Sequence, residues 1–380
     1  MTLRTILKEG KGWWRHDSHR IGFCGIRMTA SSFSSNTPLA PYTTIGLGGP
    51  AKVFAACSSL DDLRASLEYA RAHRLRVQIL AGGSNIIFPD RGFDGMVIRM
   101  EMAGMKFTVE QNSLKASVAA GENWDTFVQQ CIERGATGIE CLSGIPGSVG
   151  ASPIQNVGAY GQEVSETIVC VRAMEKSSMD LVEFRNQECR FAYRQSRFKQ
   201  NDDCIITEVE FRLNTGVLPG IRYPELQQKI DESNGERASS ALIRSAVLSL
   251  RRAKSMVIDP RDPNTRSCGS FFVNPILSRG AFQKLQTSRA KAGYNDHIPS
   301  FAVGTGVKIP AAWLVEQAGF PRGYRAGGVG VSHNHSLALV NFDGTTSELM
   351  DLAGKIQQAV ESTFGIRLEL EPVVIQNALP

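Results

Sequence analysis

The chain has 380 residues, of which 42% are hydrophobic and 21% are charged, and its formal net charge at pH 7 is +5. This composition is typical of a globular protein of two or three domains, and it excludes disordered and fibrous proteins. No apolar run approaches the roughly 20 residues that a membrane-spanning helix needs, so we expect no membrane contact. The mild positive charge suits anionic small ligands and is too diffuse to predict a nucleic-acid partner.

The cysteines and the N-terminal residues bear on where the protein works. The eight cysteines form no C-x-x-C pair, and the first residues lack the continuous apolar core of a secretion signal. Together these features predict reduced thiols and a cytoplasmic protein. Residues 1–35 are predicted to be a flexible N-terminal tail, because the stretch that follows Met28 is polar and of low complexity.

Residues 36–100 alternate helix and strand signals. Ser59 and Asp62 have the spacing of a capping box, and the apolar residues after them recur on one helical face. The apolar run at 77–80 predicts a buried strand, which ends in an Ala-Gly-Gly-Ser-Asn sequence at 81–85. Consecutive glycines after a strand let backbone N–H groups point at a phosphate. The residues that follow are not those of a P-loop or a Rossmann site, so a phosphate site and a plain tight turn both remain open.

The densest run of small residues in the chain lies at 143–161. It combines glycine and alanine with apolar side chains that a solvated linker rarely carries. We interpret it as backbone pressed against a flat, partly apolar ligand such as a flavin, with Ser148, Gln155 and Asn156 supplying hydrogen bonds. The alternative is a glycine-rich site where helices pack together.

Two further stretches carry candidate reactive groups. Residues 189–199 alternate aromatic and basic side chains, which in a strand would place Arg190 and Arg194 on one face. Such a basic run is usually a solvated face, but an arginine beside a cofactor could clamp a carboxylate. In residues 262–275 a glycine precedes Ser270 and two phenylalanines follow it. This pattern predicts either a small proton donor at an apolar site or a loop that leads into an edge strand.

The C-terminal part has a clear helix signal and a clear strand signal. An apolar stripe predicts a helix at 346–364, closed by a glycine. The alternating residues 366–375 predict an exposed edge strand, or a strand that brings Glu371 back to a site. His333 and His335 have no third ligand in register, so we predict no metal site.

In their order along the chain, these segments resemble the UDP-N-acetylmuramate dehydrogenase family, whose members are also called UDP-N-acetylenolpyruvoylglucosamine reductases. The likeness runs from Asn36 to about Ile375. The segments similar to the family's flavin-binding half are 36–37, 44–51, 82–85 and 143–161. The segments similar to its catalytic and substrate-binding half are 193–194, 259–264, 269–272 and 274–275. Each tetrapeptide alone is a weak signal, but the ordered set is specific.

The resemblance implies an α+β protein with a flavin-binding fold similar to the vanillyl-alcohol-oxidase flavoproteins and a C-terminal α+β substrate domain. After the tail, the implied parts are two FAD-binding subdomains, a substrate-binding domain and a C-terminal strand that returns to the active site, at residues 36–104, 105–258, 259–364 and 365–380. The chain is expected to act as a monomer.

The resemblance also implies an activity in peptidoglycan precursor synthesis. In this family NADPH reduces FAD and leaves. UDP-N-acetylglucosamine enolpyruvate then enters the same pocket, and its vinyl carbon takes hydride from flavin N5. Arg194 and Glu371 would surround the substrate carboxylate, while Ser270 would protonate the neighbouring carbon. The last strand here departs from the family's usual Leu-Glu-Pro-Glu ending, so Glu369 is an alternative to Glu371.

The family's binding positions carry over residue by residue. The implied cofactor-binding residues are Gly82, Gly83, Ser84, Asn85, Gly144, Ile145, Pro146, Gly147, Ser148, Gly150, Ala151, Gln155, Asn156, Gly158 and Arg251. The implied substrate-binding residues are Tyr223, Lys254, Asn274 and His335. Tyr223 is similar to the subtype with a tyrosine-bearing substrate loop. Two alternatives stay open: an FAD-dependent oxidase of small alcohols or sugars on the same fold, and a non-catalytic nucleotide-binding module.

Overall fold

The computed structural model of the chain describes residues 33–376, except 233–237, 292 and 294–296. Most of the predicted tail therefore lies outside the described residues. Its last three residues do not, because they begin the strand Phe33–Pro38, which pairs antiparallel with the strand Pro50–Cys57. The sheet thus starts three residues earlier than the sequence predicts.

The first part of the chain forms a four-stranded sheet with one helix. Its elements are β1 (Phe33–Pro38), β2 (Pro50–Cys57), α1 (Leu60–Ala72), β3 (Arg76–Leu80), β4 (Ile86–Ile87) and β5 (Phe93–Met100). The sheet order is β1-β2-β5-β3, with β5 parallel to both of its neighbours. Helix α1 begins at the predicted cap, where the Ser59 hydroxyl accepts the N–H of Asp62 at 3.1 Å. Leu63 and Leu67 then bury its inner face.

The second part combines an antiparallel sheet, a two-stranded pair and, among the described residues, four α-helices. Its elements are β6 (Met105–Glu110), β7 (Ser113–Ala119), α2 (Trp124–Glu133), β8 (Ala136–Thr137), β9 (Gly158–Ala159), β10 (Gln162–Glu163), β11 (Ile168–Glu175), β12 (Leu181–Arg185), α3 (Arg197–Gln200), β13 (Cys204–Thr215), α4 (Pro224–Asp231) and α5 (Ser240–Ala253). The strands run in the order β12-β11-β13-β7-β6. Trp124, Phe127 and Phe211 pack in the core with ring centroids 4.8 to 6.1 Å apart, which fixes α2 on the sheet.

The third part combines two small sheets with three helices. Its elements are β14 (Ser267–Ser270), β15 (Ile276–Ser278), α6 (Arg279–Lys291), β16 (Phe301–Val303), β17 (Gly306–Lys308), α7 (Ala311–Gln317), β18 (Arg325–Ala326), β19 (Val329–Val331), β20 (Ala338–Asn341), α8 (Thr346–Phe364) and β21 (Val373–Val374). The sheet orders are β14-β20-β19-β18 and β15-β17-β16. Helix α8 has the predicted bounds, and Gly365 ends it with a φ of +66°.

The end of the chain returns to the first part. Strand β21 pairs in parallel with β4, and the Val373 N–H donates to the Asn85 carbonyl at 3.0 Å. The Asp90 carboxylate accepts the N–H groups of Thr346 and Ser347 at 2.8 and 2.9 Å, at the positive end of α8. The pairing of β21 with β4 places the C-terminal strand directly after the loop that follows β3.

Three predictions of local structure are wrong. Residues 189–199 form no strand, because the backbones of Ala192 and Gln195 bond to each other and reverse the chain. The segment 366–375 is not one edge strand, since its strand pairing is confined to Leu370, which bridges to Phe272, and to β21. Strand β3 is fully buried only at Leu80, because it lies at the edge of its sheet.

A helix must be both long and apolar to cross a bilayer. Within the described ranges, no helix combines the length and the apolarity needed to cross a membrane.

Candidate active site

The loop at 81–85, which follows β3, forms the first wall of a cleft. Backbone lies close to it on both sides. A Cβ at Gly83, whose φ is +65°, would come within 1.9 Å of the Tyr42 carbonyl oxygen. A Cβ at Gly82 would come within 2.6 Å of the Gly147 Cα. Close approach therefore requires glycine at both positions, and the positive φ requires it again at Gly83.

The second wall is the glycine-rich segment that follows α2. The Gly147 carbonyl accepts the backbone N–H of Trp124 at 3.1 Å, and the Trp124 indole donates to the Leu142 carbonyl at 2.9 Å. Gly150 packs against Ala120, where an added Cβ would come to 2.5 Å. These contacts hold the segment against the ends of α2 and β7, so its other side faces the cleft.

The cleft between the two walls has a cavity volume of about 290 Å³. Twelve of the fifteen predicted cofactor-binding residues line it: Gly82, Gly83, Ser84, Asn85, Ile145, Pro146, Gly147, Ser148, Ala151, Gln155, Gly158 and Arg251. The walls are bonded to each other, since the Ser84 hydroxyl donates to the Pro146 carbonyl and the Asn85 amide donates to Gln155 Oε1, both at 3.0 Å. The predicted residues therefore form one continuous surface.

The structure does not bring the other three predicted positions, Gly144, Gly150 and Asn156, to the cleft. Gly150 faces Ala120, as described above. The Asn156 amide donates to Glu163 Oε2 at 2.7 Å, and its oxygen accepts a backbone N–H, so its polar atoms are engaged within the protein. Gly144 is covered by Leu248, which an added Cβ would meet at 2.7 Å. These three positions therefore lie within or behind the walls and are not among the residues that line the cleft.

Two buried polar atoms of the cleft lack a hydrogen-bond partner within the described part of the chain: Ser148 Oγ and Arg251 Nε. Burial lowers the pKa of Arg251, and its Nη2 is held by the Met256 carbonyl at 2.7 Å. An unpaired buried donor costs roughly 1–3 kcal/mol, a cost that a ligand acceptor removes. Backbone walls, apolar side chains and unpaired donors together fit a flat flavin dinucleotide such as FAD.

Arg194 and Glu371 form an ion pair in the same cleft. Arg194 Nε donates to Glu371 Oε1 at 3.0 Å, and Arg194 Nη2 donates to the Gly158 carbonyl at 2.8 Å. Both side chains are largely buried. Burial raises the pKa of Glu371, while the charges of Arg194 and Lys199 act in the opposite direction and do not outweigh it. The carboxyl group of Glu371 therefore keeps a proton more readily than an exposed glutamate would.

Ser270 lines the cleft beside this pair. A register shift between Ser267 and Ser270 marks a β-bulge where β14 meets β20, and Gly269 within it has a φ of +73°. Such a bulge redirects the side chain that follows it. The Glu371 N–H donates to the Phe271 carbonyl at 3.0 Å, so Ser270 and Glu371 lie on adjacent segments. Among the described residues, none hydrogen-bonds to the Ser270 hydroxyl.

The structure distinguishes the two candidate carboxylates. The chain bends at Glu371 and Pro372, so the side-chain alternation of the preceding residues ends there. Glu369 remains exposed, whereas Glu371 lines the cleft. Of the two, only Glu371 contacts Arg194.

Tyr223 and Lys254, predicted to bind substrate, lie together around Tyr160. The rings of Tyr160 and Tyr223 meet edge to face, with centroids 5.3 Å apart. Lys254 Nζ lies 6.0 Å from the Tyr160 ring and 2.7 Å from both carboxylate oxygens of Glu225. Glu225 follows Tyr223 by two residues, in the first turn of α4. Lys254, the cation predicted to bind substrate, is thus already paired with Glu225 of the same chain.

His335 belongs to the same neighbourhood, whereas Asn274 does not. Burial, with the charges of Lys254 and Arg251, lowers the pKa of His335 to about 4. Asn274 Oδ1 accepts the N–H of Ala311 at 2.8 Å, at the start of α7, and its amide lies 3.4 Å from the Tyr193 hydroxyl. Asn274 therefore lies beside Tyr193, the residue that precedes Arg194.

Sequence reasoning missed three charged residues at or near the cleft. Lys199 lines it, and its Nζ donates to the Arg194 carbonyl at 2.9 Å. Lys308 Nζ lies 5.4 Å from the Tyr193 ring centroid, and Glu225 holds Lys254. Lys199 was visible only as part of a basic run, and nothing in the spacing of the other two pointed to the site.

Comparisons with known proteins agree with this geometry. Residues 51–178 match the family model described as FAD binding domain. Residues 260–375 match the model described as UDP-N-acetylenolpyruvoylglucosamine reductase, C-terminal domain. The fold and the cleft thus place the chain among the FAD-binding α+β proteins, and the predicted fold class is confirmed.

Relatives define the family more narrowly. The chain is 45% identical over 350 residues to the UDP-N-acetylenolpyruvoylglucosamine reductase of Thermobifida fusca, covering 91% of this chain and 98% of that protein. It is 38% identical over 364 residues to the protein of that name from Mycobacterium tuberculosis, covering 92% and 97%. The chain belongs to the UDP-N-acetylenolpyruvoylglucosamine reductase family.

A solved structure supports the same fold. The crystal structure of UDP-N-acetylenolpyruvylglucosamine reductase from Thermus caldophilus superposes with a TM-score of 0.59 at 23% identity. The match covers 90% of this chain and 97% of that one. At this identity the likeness concerns the fold alone.

Proposed function

We propose that this chain is an FAD-dependent enzyme that uses NADPH to reduce UDP-N-acetylglucosamine enolpyruvate to UDP-N-acetylmuramate, a precursor of peptidoglycan. One observation carries the proposal: the buried pair Arg194–Glu371 and the hydroxyl of Ser270 line the same cleft as the two glycine walls. A cleft for a flavin and a site for protonating a carbon next to a carboxylate therefore coincide.

The cofactor would be held by the walls and by the unpaired donors. The backbone at 82–85 and 145–148 would contact its flat and anionic parts, and Ser148 and Arg251 would donate to its acceptors. When bound, FAD would supply the hydride-transfer chemistry between NADPH and the vinyl carbon of the substrate. The protein's own task is to orient both ligands and to exclude water from the shared pocket.

Arg194 and Glu371 would handle the substrate carboxylate. Addition of hydride to the vinyl carbon moves negative charge toward this carboxylate. The guanidinium of Arg194, already oriented by Glu371 and the Gly158 carbonyl, would neutralise that charge. Because burial raises its pKa, Glu371 is suited to hold a proton and donate a hydrogen bond to the same oxygens.

Ser270 would complete the reaction by giving its proton to the carbon that bears the carboxylate. A serine hydroxyl is a weak acid, but a positioned one can quench a strongly basic carbon. The resulting alkoxide would regain its proton from water after the product has left the cleft. In this role Ser270 needs no histidine base beside it, in contrast to a nucleophilic serine.

Four residues are proposed to bind the UDP-sugar. Tyr223, Lys254 and His335 share one neighbourhood, which supports a common role toward the nucleotide part of the substrate. Asn274 stands apart beside Tyr193, which supports a role nearer to Arg194. The presence of Tyr223 favours the subtype with a tyrosine-bearing loop.

The enzyme is proposed to act as a monomer in the cytoplasm. The seven cysteines of the described residues are all free, as expected for a reducing compartment. Light scattering of the purified protein tests the monomer, since a mass of twice 41.5 kDa would contradict it.

Anaerobic rapid mixing tests the proposed function. The purified protein should be yellow, its flavin absorbance should bleach with NADPH, and the absorbance should return when the enolpyruvyl substrate is added. Protein that neither contains nor binds FAD would overturn the proposal. Return of absorbance only with oxygen, with peroxide formed from a small alcohol or sugar, would favour the oxidase instead.

A further inference from the structure

The carboxylate of Asp125 lies behind the second wall of the cleft. Asp125 is in the first turn of α2, and its side chain is 33% exposed. Its Oδ1 accepts the backbone N–H of Gly144 at 2.6 Å. Arg244 donates to both oxygens, from Nη1 at 2.6 Å and from Nη2 at 2.8 Å. The Asp125 carboxylate thus bonds both to Gly144 in the glycine-rich segment and to Arg244 of α5, which is 119 residues away in the sequence.

The helix that Asp125 holds is also the one that carries Arg251. Arg244 and Arg251 are seven residues apart in α5, which places them two turns apart on the same face. The Arg251 Nε lies 3.5 Å from the point that a Cβ on Gly144 would occupy. Gly144 therefore touches Arg251 on one side and bonds to Asp125 through its N–H.

These contacts explain why Gly144 has its conformation although it does not face the cleft. Its φ is +71°, and a Cβ there would also meet Leu248 at 2.7 Å. The turn is held in this shape by the bond to Asp125. Burial acts to raise the pKa of Asp125, but the hydrogen bonds from Arg244 and from the Gly144 N–H outweigh it, so the carboxyl stays ionised.

Preorganisation gives this arrangement a consequence for ligand binding. A site whose walls already have their bound shape loses less conformational freedom when it binds. Supporting hydrogen bonds behind the contacting residues are what keep such a site in place. Here Asp125 and Arg244 support two groups. One is the turn at Gly144, which is part of the second wall of the cleft. The other is Arg251, whose Nε is an unpaired donor of the cleft.

We propose that Asp125, with Arg244, is a positioning pair for the flavin dinucleotide: it holds the Gly144 turn and Arg251 in the geometry that binds the cofactor. The inference rests on the proposed FAD site. Neither residue lines the cleft, so the pair acts through other residues rather than by contact with the ligand.

The test measures cofactor affinity in the full-chain protein. Flavin released on dilution of the holoenzyme is followed by the fluorescence of free FAD, for the variants Asp125→Ala, Asp125→Asn and Arg244→Gln. Thermal unfolding is measured in parallel at saturating FAD. The matched control is Asp61→Ala, because Asp61 also lies in the first turn of a helix and pairs with an arginine, but at the surface.

The expected result is a graded loss of affinity. Asp125→Ala removes all three hydrogen bonds and should raise the Kd for FAD about tenfold or more, where tenfold corresponds to about 1.4 kcal/mol. Asp125→Asn should rescue part of this loss, because its amide oxygen can still accept the Gly144 N–H. Arg244→Gln should weaken binding less than Asp125→Ala, and the control should stay within about twofold of the wild type.

A loss of stability without a loss of FAD affinity would contradict the inference. If Asp125→Ala lowers the unfolding temperature while the Kd stays within about twofold of the wild type, the pair is purely structural and the inference is overturned. If that variant does not fold, Asp125→Asn and Arg244→Gln decide by the same measurement. Failure of the wild type itself to bind FAD would overturn the proposed function instead.

Discussion

Arg194 Nε donates a hydrogen bond to Glu371 Oε1 at 3.0 Å, although the two residues are 177 positions apart in the sequence. Both side chains are largely buried, at 19% and 14% exposure. Burying an ion pair is weak support for stability, because desolvation offsets much of the attraction. A buried pair of this kind that lines a cleft is therefore better explained by the guanidinium and the carboxyl group that it presents to a ligand.

The role of Glu371 can be tested by replacing its acidic carboxyl group with an amide. Glu371→Gln keeps the shape of the side chain, but its amide is a much weaker hydrogen-bond donor than a carboxyl group, so it should slow reoxidation by the enolpyruvyl substrate by up to about 10²-fold. Bleaching by NADPH should change much less. The control is Glu369→Gln, at an exposed position two residues away. A larger effect at Glu369 would transfer the role to that residue.

Ser270→Ala separates the two half-reactions. The variant retains the cofactor walls, so NADPH should still bleach the flavin at a rate close to that of the wild type. Reoxidation by the substrate should fall by about 10²- to 10⁴-fold, the range for loss of a positioned proton donor. Ser278→Ala, at an exposed end of β15, is the control. Equal slowing of both half-reactions would count against a proton-donor role.

The pair Lys254–Glu225 predicts an unusual gain of affinity. Glu225 holds Lys254 at 2.7 Å, so an anionic substrate that binds Lys254 has to compete with it. Because both side chains are partly exposed, the competition is worth about 0.2–1 kcal/mol. Glu225→Gln should therefore lower KM for the UDP-sugar by up to about fivefold, whereas Lys254→Gln should raise it. An increase of KM in Glu225→Gln would show that the acid supports binding.

The unpaired hydroxyl of Ser148 predicts opposite effects on stability and on cofactor affinity. Ser148→Ala removes a buried oxygen that has no partner within the described residues, so the FAD-free protein should unfold at a slightly higher temperature. The same change should weaken FAD binding by about tenfold or less. Ser152→Ala is the control, because the Ser152 hydroxyl is bonded to the Val149 carbonyl at 2.8 Å. Its loss should lower the unfolding temperature.

His335 predicts a specific pH dependence of stability. Burial lowers its pKa to about 4 in the folded protein, against an ordinary value of about 6.5. Between these values the unfolded chain binds more protons, so this contribution is present above pH 6.5 and is lost as the pH falls toward 4. Urea unfolding at several pH values should show a weaker loss in His335→Gln than in the wild type. The exposed neighbour His333→Gln should behave like the wild type.

Much of this protein could be predicted from its sequence where the signals are local. The cap of α1 at Ser59 and the end of α8 at Gly365 follow from residues within one helical turn. The glycines at 82–83 indicated either a phosphate site or a tight turn after a strand. The ordered motifs were sufficient for the fold class and the family, both of which the comparisons confirm.

Only the tertiary structure decided which side chains share the site. Glu369 and Glu371 look equivalent in an alternating pattern, but the bend at Pro372 and the contact with Arg194 turn Glu371 alone into the cleft. Asn156 looks like a ligand contact, yet its polar atoms are engaged within the protein. The sequence by itself determines local elements and motif order, because these depend on neighbouring residues. The direction of the Glu371 side chain depends on Arg194, 177 residues away, and that of Asn156 depends on partners across a turn, which no local period can encode.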